Sequence, residues 1–566
     1  MYKNYNMNQL VLPLEIEYIL DKNDIAHLIN HFVESIPDGE FMSCVPKDGR
    51  PSYHPRMLLK ILLCAYTQGI FSGRKIEASV KDSLRMMWLA QGETPSYRTI
   101  NRFRVHEHTQ ALLQACFTQF RMRLVASDQI DEEAIYIDGT KIEANAQKYT
   151  FVWKKAIETN EKKMATRALE LYQELVETEI LPAIEDEKTK VSDAQLQLLQ
   201  SKLTDTVETY TEQIATSSDM TQRKKLRSER KPFKQKLKQV TEMMARKKVY
   251  EKHYEILGER NSYSKTDTDA TFMRMKDDHM MNGQLKAGYN LQIATEHQYV
   301  LGYRVFPNPT DTKTLKPFLH TLMEDFRLPL PPHIVADAGY GSEVNYQYII
   351  DELERIPLIT YSTYCKEQKR KHTHNTFHPD NWQYNETEDY YICPNNAVIE
   401  FSGYSQITDT SGMRREIKNY RCEAPCQYCP LRNQCTTSKD TRWRKTIRKN
   451  MKWEYFKQEI KTLLSDEKTG DLYRQRKIDV EPVFGYLKAI LGFTRMSVRG
   501  KEQVTNEIGF ALMAVNLRKL AKAQGASINN QTKKWIKEVF HFFHPFFLSS
   551  KILLSQALSS FHSASL

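Results

Sequence analysis

From residue 288 to residue 361 the apolar pattern keeps changing its period, and that order restricts the fold more than any other feature of the chain. GYNLQIATEHQYVLGYRVF alternates apolar and polar residues in two runs about a polar turn, the pattern of paired strands. DTKTLKPFLHTLMEDF then spaces its apolar residues as a core-facing helix does. HIVAD follows as a short strand, SEVNYQYIIDELER as a second helix and PLITYS as a further strand. An earlier strand, AIYID, ends at Asp138. The sum is strand, strand, strand, helix, strand, helix, strand, which predicts an α/β fold: a mixed sheet with helices packed on it.

At 566 residues the chain exceeds one compact domain, and three or four units are expected. Residues 1–125 form an all-helical N-terminal unit. In it Pro55 opens a helix striped by Met57, Leu58, Ile61, Leu62 and Ala65, a second helix runs from Ser72 to Gly92, and YRTINRFRVHEH makes a third. Short helices with tight connections are compatible with a helix-turn-helix module. Arg98, Asn101, Arg102 and Arg104 on the third helix are candidate DNA contacts, a solvated polar face being the plainer alternative.

The sheet takes residues 130–150 and 260–361, and between them residues 151–259 turn to Glu, Lys, Gln, Leu and Met. Leu196, Leu199, Leu203, Val207, Tyr210 and Ile214 keep a coiled-coil period, with bends expected at Pro182 and Pro232. Between Gln222 and Lys252 stand 13 Lys or Arg against three Glu, a run that suits either a solvated helix face or a DNA-facing arm. A polar, Cys-rich and basic stretch occupies 362–455, helices resume over 456–524, and an apolar tail fills 525–566. A net charge of +11 suits a polyanionic partner without requiring one. The N-terminus lacks the pattern of a signal peptide and no apolar run reaches membrane-spanning length, so the cytoplasm is the expected address.

Asp138 and Asp337 each end a short apolar strand before a small-residue turn, in IYIDGT and VADAGYG. That placement lets two carboxylates meet at one sheet edge, although Asp at a strand end is commonly only a turn former. Glu481, in KIDVEPVFGYLKAILGF, is the third candidate. Carboxylates converging on one point suit Mg²⁺ or Mn²⁺, and two such ions about 3.5–4 Å apart activate the attacking oxygen and stabilise the leaving one in phosphoryl transfer. Asp267 and Asp269 in TDTDA could assist a metal, but loop capping explains them more simply. Cys422, Cys426, Cys429 and Cys435 lie within fourteen residues, with Cys393 upstream. They fit structural Zn²⁺ or an iron–sulfur site, with uncoordinated thiols as the alternative. His372, His374 and His378 could add ligands, or belong to a polar loop. TRWRKTIRKNMKW follows the cysteines, and its Arg444 and Lys445 are further candidate DNA contacts.

IYIDGTKIEANA, TDTDATFMRMKDD with GYNLQIA, VADAGYGSEVNY and VEPVFGYLKAILGF, in that order, resemble bacterial insertion-sequence transposases of the DDE type. PSYHPRMLLKILLCAYTQGIFSGRKIE resembles their helical N-terminal domain, and the likeness spans roughly residues 40 to 525. It implies an RNase H-like core interrupted by a helical and a Cys-rich insertion. It also implies an enzyme that binds terminal inverted repeats, cuts there and joins the ends to target DNA, as a homodimer on paired ends. By position Asp138, Asp337 and Glu481 match the family acids. Lys488, seven residues after Glu481, matches the family lysine. Arg476 stands one residue too far from Glu481 and Lys477 has the family spacing instead, so both are candidates for the basic position before the glutamate. Pro482 is expected to disturb the helix there. A catalytically silent DNA-binding descendant is the principal alternative. A serine or tyrosine recombinase would need an activated nucleophile supported by arginines, and no such pattern is present.

Overall fold

The computed structural model describes residues 20–21, 23–44, 52–177, 192–275, 283–409, 412–423, 425–440 and 442–524. The apolar tail and Pro182 lie outside them. Eight strands precede the Cys-rich stretch: β1 (Ala134–Glu143), β2 (Phe151–Trp153), β3 (Ser262–Ser264), β4 (Thr271–Arg274), β5 (Leu285–Glu296), β6 (Tyr299–Phe306), β7 (His333–Ala336) and β8 (Ile356–Ile359). Six of them build the expected mixed sheet. β1 lies antiparallel to β5 and parallel to β7, and β7 lies parallel to β8. β6 and the short β4 share the other edge of β5, so the long order is β6-β5-β1-β7-β8. β5 is buried from Ala287 through Glu296, which indicates that both faces of the sheet are covered.

Two features of β1 depart from expectation. The strand does not stop at Asp138 but continues to Glu143, held by β5. Its pairing with β7 does stop, at Ile137 against Ala336. Asp138 therefore sits mid-strand and at the end of the parallel pair.

The N-terminal helices share one hydrophobic core with the sheet, through the helix at 501–524. That helix is buried at Ile508, Phe510, Leu512 and Met513, and its Asn516 bonds both the amide and the carbonyl of Val300 on β6. The second N-terminal helix is two, Gly73–Asp82 and Leu84–Leu89. Ser83 between them is extended, and a serine in that conformation ends one helix and opens the next. Among the described residues no helix is long and apolar enough to cross a membrane.

Between β2 and β3 runs an arm of three helices, Lys154–Glu177, Asp193–Thr216 and Met220–Leu257. Leu196, Leu199 and Leu203 pack with Leu171, Leu175 and Val240 in one apolar seam. The predicted period continues through Val207, Tyr210 and Ile214, but these are only half-buried. The last helix continues through Pro232, where a bend was expected, from Met220 to Leu257. Lys224, Lys225, Arg227, Lys231 and Lys234 on it are exposed.

The Cys-rich stretch has a fold of its own. It carries a five-stranded antiparallel sheet of β9 (Gln383–Asn385), β10 (Tyr390–Ile392), β11 (Val398–Thr408), β12 (Arg414–Cys422) and β13 (Thr446–Lys449).

Candidate active site

Ile137 pairs in register with Ala336, so Asp138 and Asp337 are the next residues on two adjacent parallel strands. Adjacent strands lie about 4.8 Å apart and residues in register project to the same face, which brings the two carboxylates together. Asp337 Oδ1 accepts from the Gly339 amide at 2.8 Å, an Asp-turn that closes the strand end. Asp138 Oδ1 accepts from the Gly139 amide at 2.7 Å, and its other oxygen lies 3.9 Å from Arg476 Nη1.

Arg476 comes from the helix Glu467–Gly485, capped at Asp466 and laid across the sheet face. The Tyr473 hydroxyl meets Thr360 Oγ1 at 2.9 Å beyond β8, and at the other side of the sheet Asp479 accepts from the Gln298 amide at 3.1 Å. Burial pushes the Asp479 carboxyl up. Pro482 does not break this helix. Its missing N–H leaves the Ile478 carbonyl without the usual partner, and Gln298 Nε2 donates to that carbonyl at 3.1 Å. A π-helical turn at Tyr486–Ile490 follows. Lys488 lies within that turn.

An acid outside the sequence reading also belongs here. Asp311 Oδ1 accepts from Asn290 Nδ2 at 2.7 Å and from Gln292 Nε2 at 2.9 Å, both buried on β5. Gln292 pairs with Gly139, so it projects to the face opposite Asp138. A Cβ on Gly139 would stand 2.2 Å from Gln292 Nε2 and 3.0 Å from Asp311 Oδ1, so only glycine leaves room for this carboxylate. The Tyr340 hydroxyl donates to Gln292 Oε1. Burial raises its pKa most, and the charges of Asp311, Asp138 and Asp337 raise it further. A Cβ on Gly339 would stand 2.9 Å from Asp337 Oδ1 and 3.8 Å from Asp311 Oδ2, so these two carboxylates border the same turn. Thr312 Oγ1 donates to the Gly339 carbonyl at 2.8 Å, and Asn345 Nδ2 bonds the Thr312 and Tyr340 carbonyls, so the 311–312 segment buttresses the Asp337 turn. The signal in the sequence was PNPTDTKTL, which looks like any polar turn before a helix.

The other candidates divide. Glu481 is exposed on the flank of the helix, and so is Lys477, while Lys488 is half-buried in the π turn. The sets whose ligand atoms lie within 4.8 Å of one another are His372–His378–Asp380 and Asp131–Glu296–His297, so Glu481 is not gathered with Asp138 and Asp337 at that distance among the described residues. His374 instead contacts the Arg370 carbonyl at 3.1 Å. Asp267 is buried, accepting from the Tyr289 hydroxyl and the Gly500 amide, and Asp269 accepts from the Lys501 amide at 2.8 Å. They cap the helix at 501, as the simpler reading had it.

On the helix Tyr97–Arg104, Arg98 and Arg102 are exposed. Arg104 requires correction as a DNA contact. It is buried, donates to the Phe71 carbonyl at 2.7 Å and faces Glu507 at 3.6 Å. Its place at helical spacing from Ile100 and Phe103 turns it inward with them. Asn101 is half-buried, accepts from Arg104 at 3.1 Å and packs on Gly73, where a Cβ would stand 2.4 Å from its Oδ1. Arg444 and Lys445 are half-buried, with Lys445 Nζ 5.0 Å from the Trp382 ring centre.

Two family models match the chain. Residues 14–106 match a transposase domain (DUF772), and residues 392–521 match a transposase DDE domain. The second match contains the cysteines from Cys393 onward, Glu481 and Lys488, while Asp138 and Asp337 precede it. No curated protein and no solved structure gives a significant match. Together the two family matches indicate a transposase of the DDE insertion-sequence type.

Proposed function

We propose that the chain is a cut-and-paste DNA transposase that binds the terminal inverted repeats of its element, cuts the DNA there and joins the freed ends to a target. The observation that carries this reading is the register of β1 and β7, which sets Asp138 beside Asp337 at the end of a parallel pair. The order β6-β5-β1-β7-β8, with β5 antiparallel and β7 and β8 parallel to β1, supports an RNase H-like core. The arm and the Cys-rich module are then insertions into it.

Oxygen-only donors suit Mg²⁺ or Mn²⁺. Asp138 and Asp337 would hold the ions, and Glu481 on the flank of the crossing helix supplies the third carboxylate. Two bound ions would activate the attacking oxygen, water and then a DNA 3′-hydroxyl, and stabilise the leaving one. Arg476, 3.9 Å from Asp138, would meet a phosphate at that edge. Lys488 serves the same phosphate from the π turn, and Lys477 faces outward for DNA. Arg98, Arg102, Arg444 and Lys445, with the exposed basic face of the arm, supply sequence-independent contacts to the DNA backbone. Two ends must be cut and joined together, so a homodimer on paired ends is the working unit.

The test incubates the purified chain, and its Asp138→Asn variant, with labelled DNA carrying the element's ends, with and without Mg²⁺. Metal-dependent cleavage at the boundary by the unaltered chain alone is the expected result. End-specific binding with no cleavage in Mg²⁺ or Mn²⁺ would identify a catalytically silent descendant. Absence of binding at low salt would refute the reading altogether.

A further inference from the structure

The Cys-rich module has too little core for its size. Its buried cluster consists of Trp382, Ile399, Tyr420, Cys422 and Ile447. A unit of this size with so few buried apolar side chains needs a disulfide or a metal to fix it. None of the nine cysteines is in a disulfide. Cys393, Cys422, Cys426, Cys429 and Cys435 all line one cavity of about 210 Å³.

The five thiols are not equivalent. Cys422 pairs across the sheet with Ile399 and is buried with it in the small core. The other four are half-buried. Cys393 comes from the turn after β10, where its amide bonds the Ala397 carbonyl at 3.0 Å. The rest come from a loop folded over the cavity by a 3₁₀ turn at Cys426–Tyr428 and a short helix at Arg432–Cys435. Arg432 also lines the cavity. Its Nη2 donates to the Ser438 and Asp440 carbonyls at 3.0 and 2.6 Å, while Nη1 is buried with no hydrogen-bond partner among the described residues. A buried guanidinium N–H left unmet in a wall of thiols calls for an anionic acceptor there.

We propose that Cys393, Cys426, Cys429 and Cys435 hold a [4Fe–4S] cluster. A single Zn²⁺ with four thiolates at about 2.3 Å would draw the sulfurs to within ~3.8 Å of one another. Among the described residues no three cysteine sulfurs lie within 4.8 Å of one another. In a cubane each thiolate meets its own iron, so the sulfurs stand well beyond the edge of a one-metal tetrahedron while still facing one cavity. Each thiol gives up its proton on binding, and the tetrathiolate cluster carries net negative charge. Arg432 Nη1 then donates to a cluster or cysteine sulfur, and Lys445, also in the wall, offsets further charge. Cys393, which the spacing of the other four cysteines left aside, takes the place that spacing gave to Cys422.

The test uses the full chain, produced with added iron and purified without oxygen. About four irons and four acid-labile sulfides per chain are expected. A broad visible absorption that dithionite bleaches should accompany them. Cys426→Ser and Cys435→Ser should lose both, whereas Cys422→Ser and Cys365→Ser should keep them. Should the serine variants aggregate, the unaltered chain is stripped of metal and refilled with ferric iron, sulfide and a small thiol that reduces two of every four irons as it oxidises to its disulfide, and the same spectrum should return. One zinc and no sulfide, or no uptake of iron and sulfide by the stripped chain, would overturn the proposal. Loss of the cluster in Cys422→Ser with retention in Cys393→Ser would overturn the ligand assignment.

Discussion

Replacing Arg104 separates two roles for a helical arginine that sequence alone could not separate, and the structure sets the size of the effect. Arg104 spreads its guanidinium over the Phe71 carbonyl at 2.7 Å, Asn101 Oδ1 at 3.1 Å and the Tyr66 hydroxyl at 3.3 Å, with Glu507 at 3.6 Å. Glu507 is fully buried and accepts from the Ser497 amide at 2.8 Å and from the Ser497 hydroxyl. Arg104→Met removes the cation and leaves that carboxylate inside the protein, a change that costs about 3–5 kcal/mol. Each 1.36 kcal/mol is tenfold, so amide exchange in peptides covering 97–104 and 501–510 should accelerate on the order of 10²–10⁴-fold. Arg104→Met with Glu507→Gln should be less damaged than Arg104→Met alone, because the stranded charge is gone. Hydrogen-exchange mass spectrometry of the three proteins measures this, and DNA binding by filter retention runs beside it. Unchanged exchange in Arg104→Met together with weakened DNA binding would refute the buried-pair argument and restore Arg104 as a DNA contact.

Asp311→Asn keeps an acceptor for Asn290 and Gln292 but removes a charge beside Asp337, and cleavage should slow by roughly 10–100-fold with end binding intact. Cleavage at the unaltered rate would show that Asp311 has no part in positioning the site. Gln298→Ala leaves the Ile478 carbonyl unmet where Pro482 cannot serve it, which should cost about 1–3 kcal/mol and loosen exchange across 473–485. Unaltered exchange there would mean water replaces the amide. Glu296 accepts from the Asp131 and Glu132 amides, yet burial pushes its carboxyl up to about 8 from an ordinary value of 4.5. The folded state thus keeps a proton that the unfolded chain has lost, so this group lowers stability as pH rises through that interval. Glu296→Gln imitates the protonated acid, and its thermal midpoint should match the unaltered chain near the bottom of the interval and exceed it near the top. Parallel curves at both ends would refute that protonation state.

The strands and helices from 288 to 361 were legible because their period is a local property: alternation of two in β5 and β6, and three to four in Leu315–Glu324. Asp138 and Asp337 were legible as acids beside short apolar strands for the same reason. What made them neighbours was the register of β1 on β7, a non-local pairing between residues about 200 apart that no local period encodes. Asp311 was invisible because its role comes from Asn290, Gln292 and the space left by Gly139, which meet only in the folded sheet. Arg104 and Arg102 look alike as sequence; a two-residue step around the helix buries one and exposes the other. Pro482 was read as a disruption because the rule is local, whereas Gln298, from the β5–β6 turn, supplies the missing donor. The cysteine loop announced a metal-binding composition, and only the folding of β10, β11 and β12 into one sheet brought the distant Cys393 to the same cavity as the other four. Sequence by itself determined the elements from 288 to 361 and the kinds of chemistry available, but not the strands β9–β13. Tertiary structure decided which side chains share a site, because packing and charge burial act between residues the chain order keeps apart.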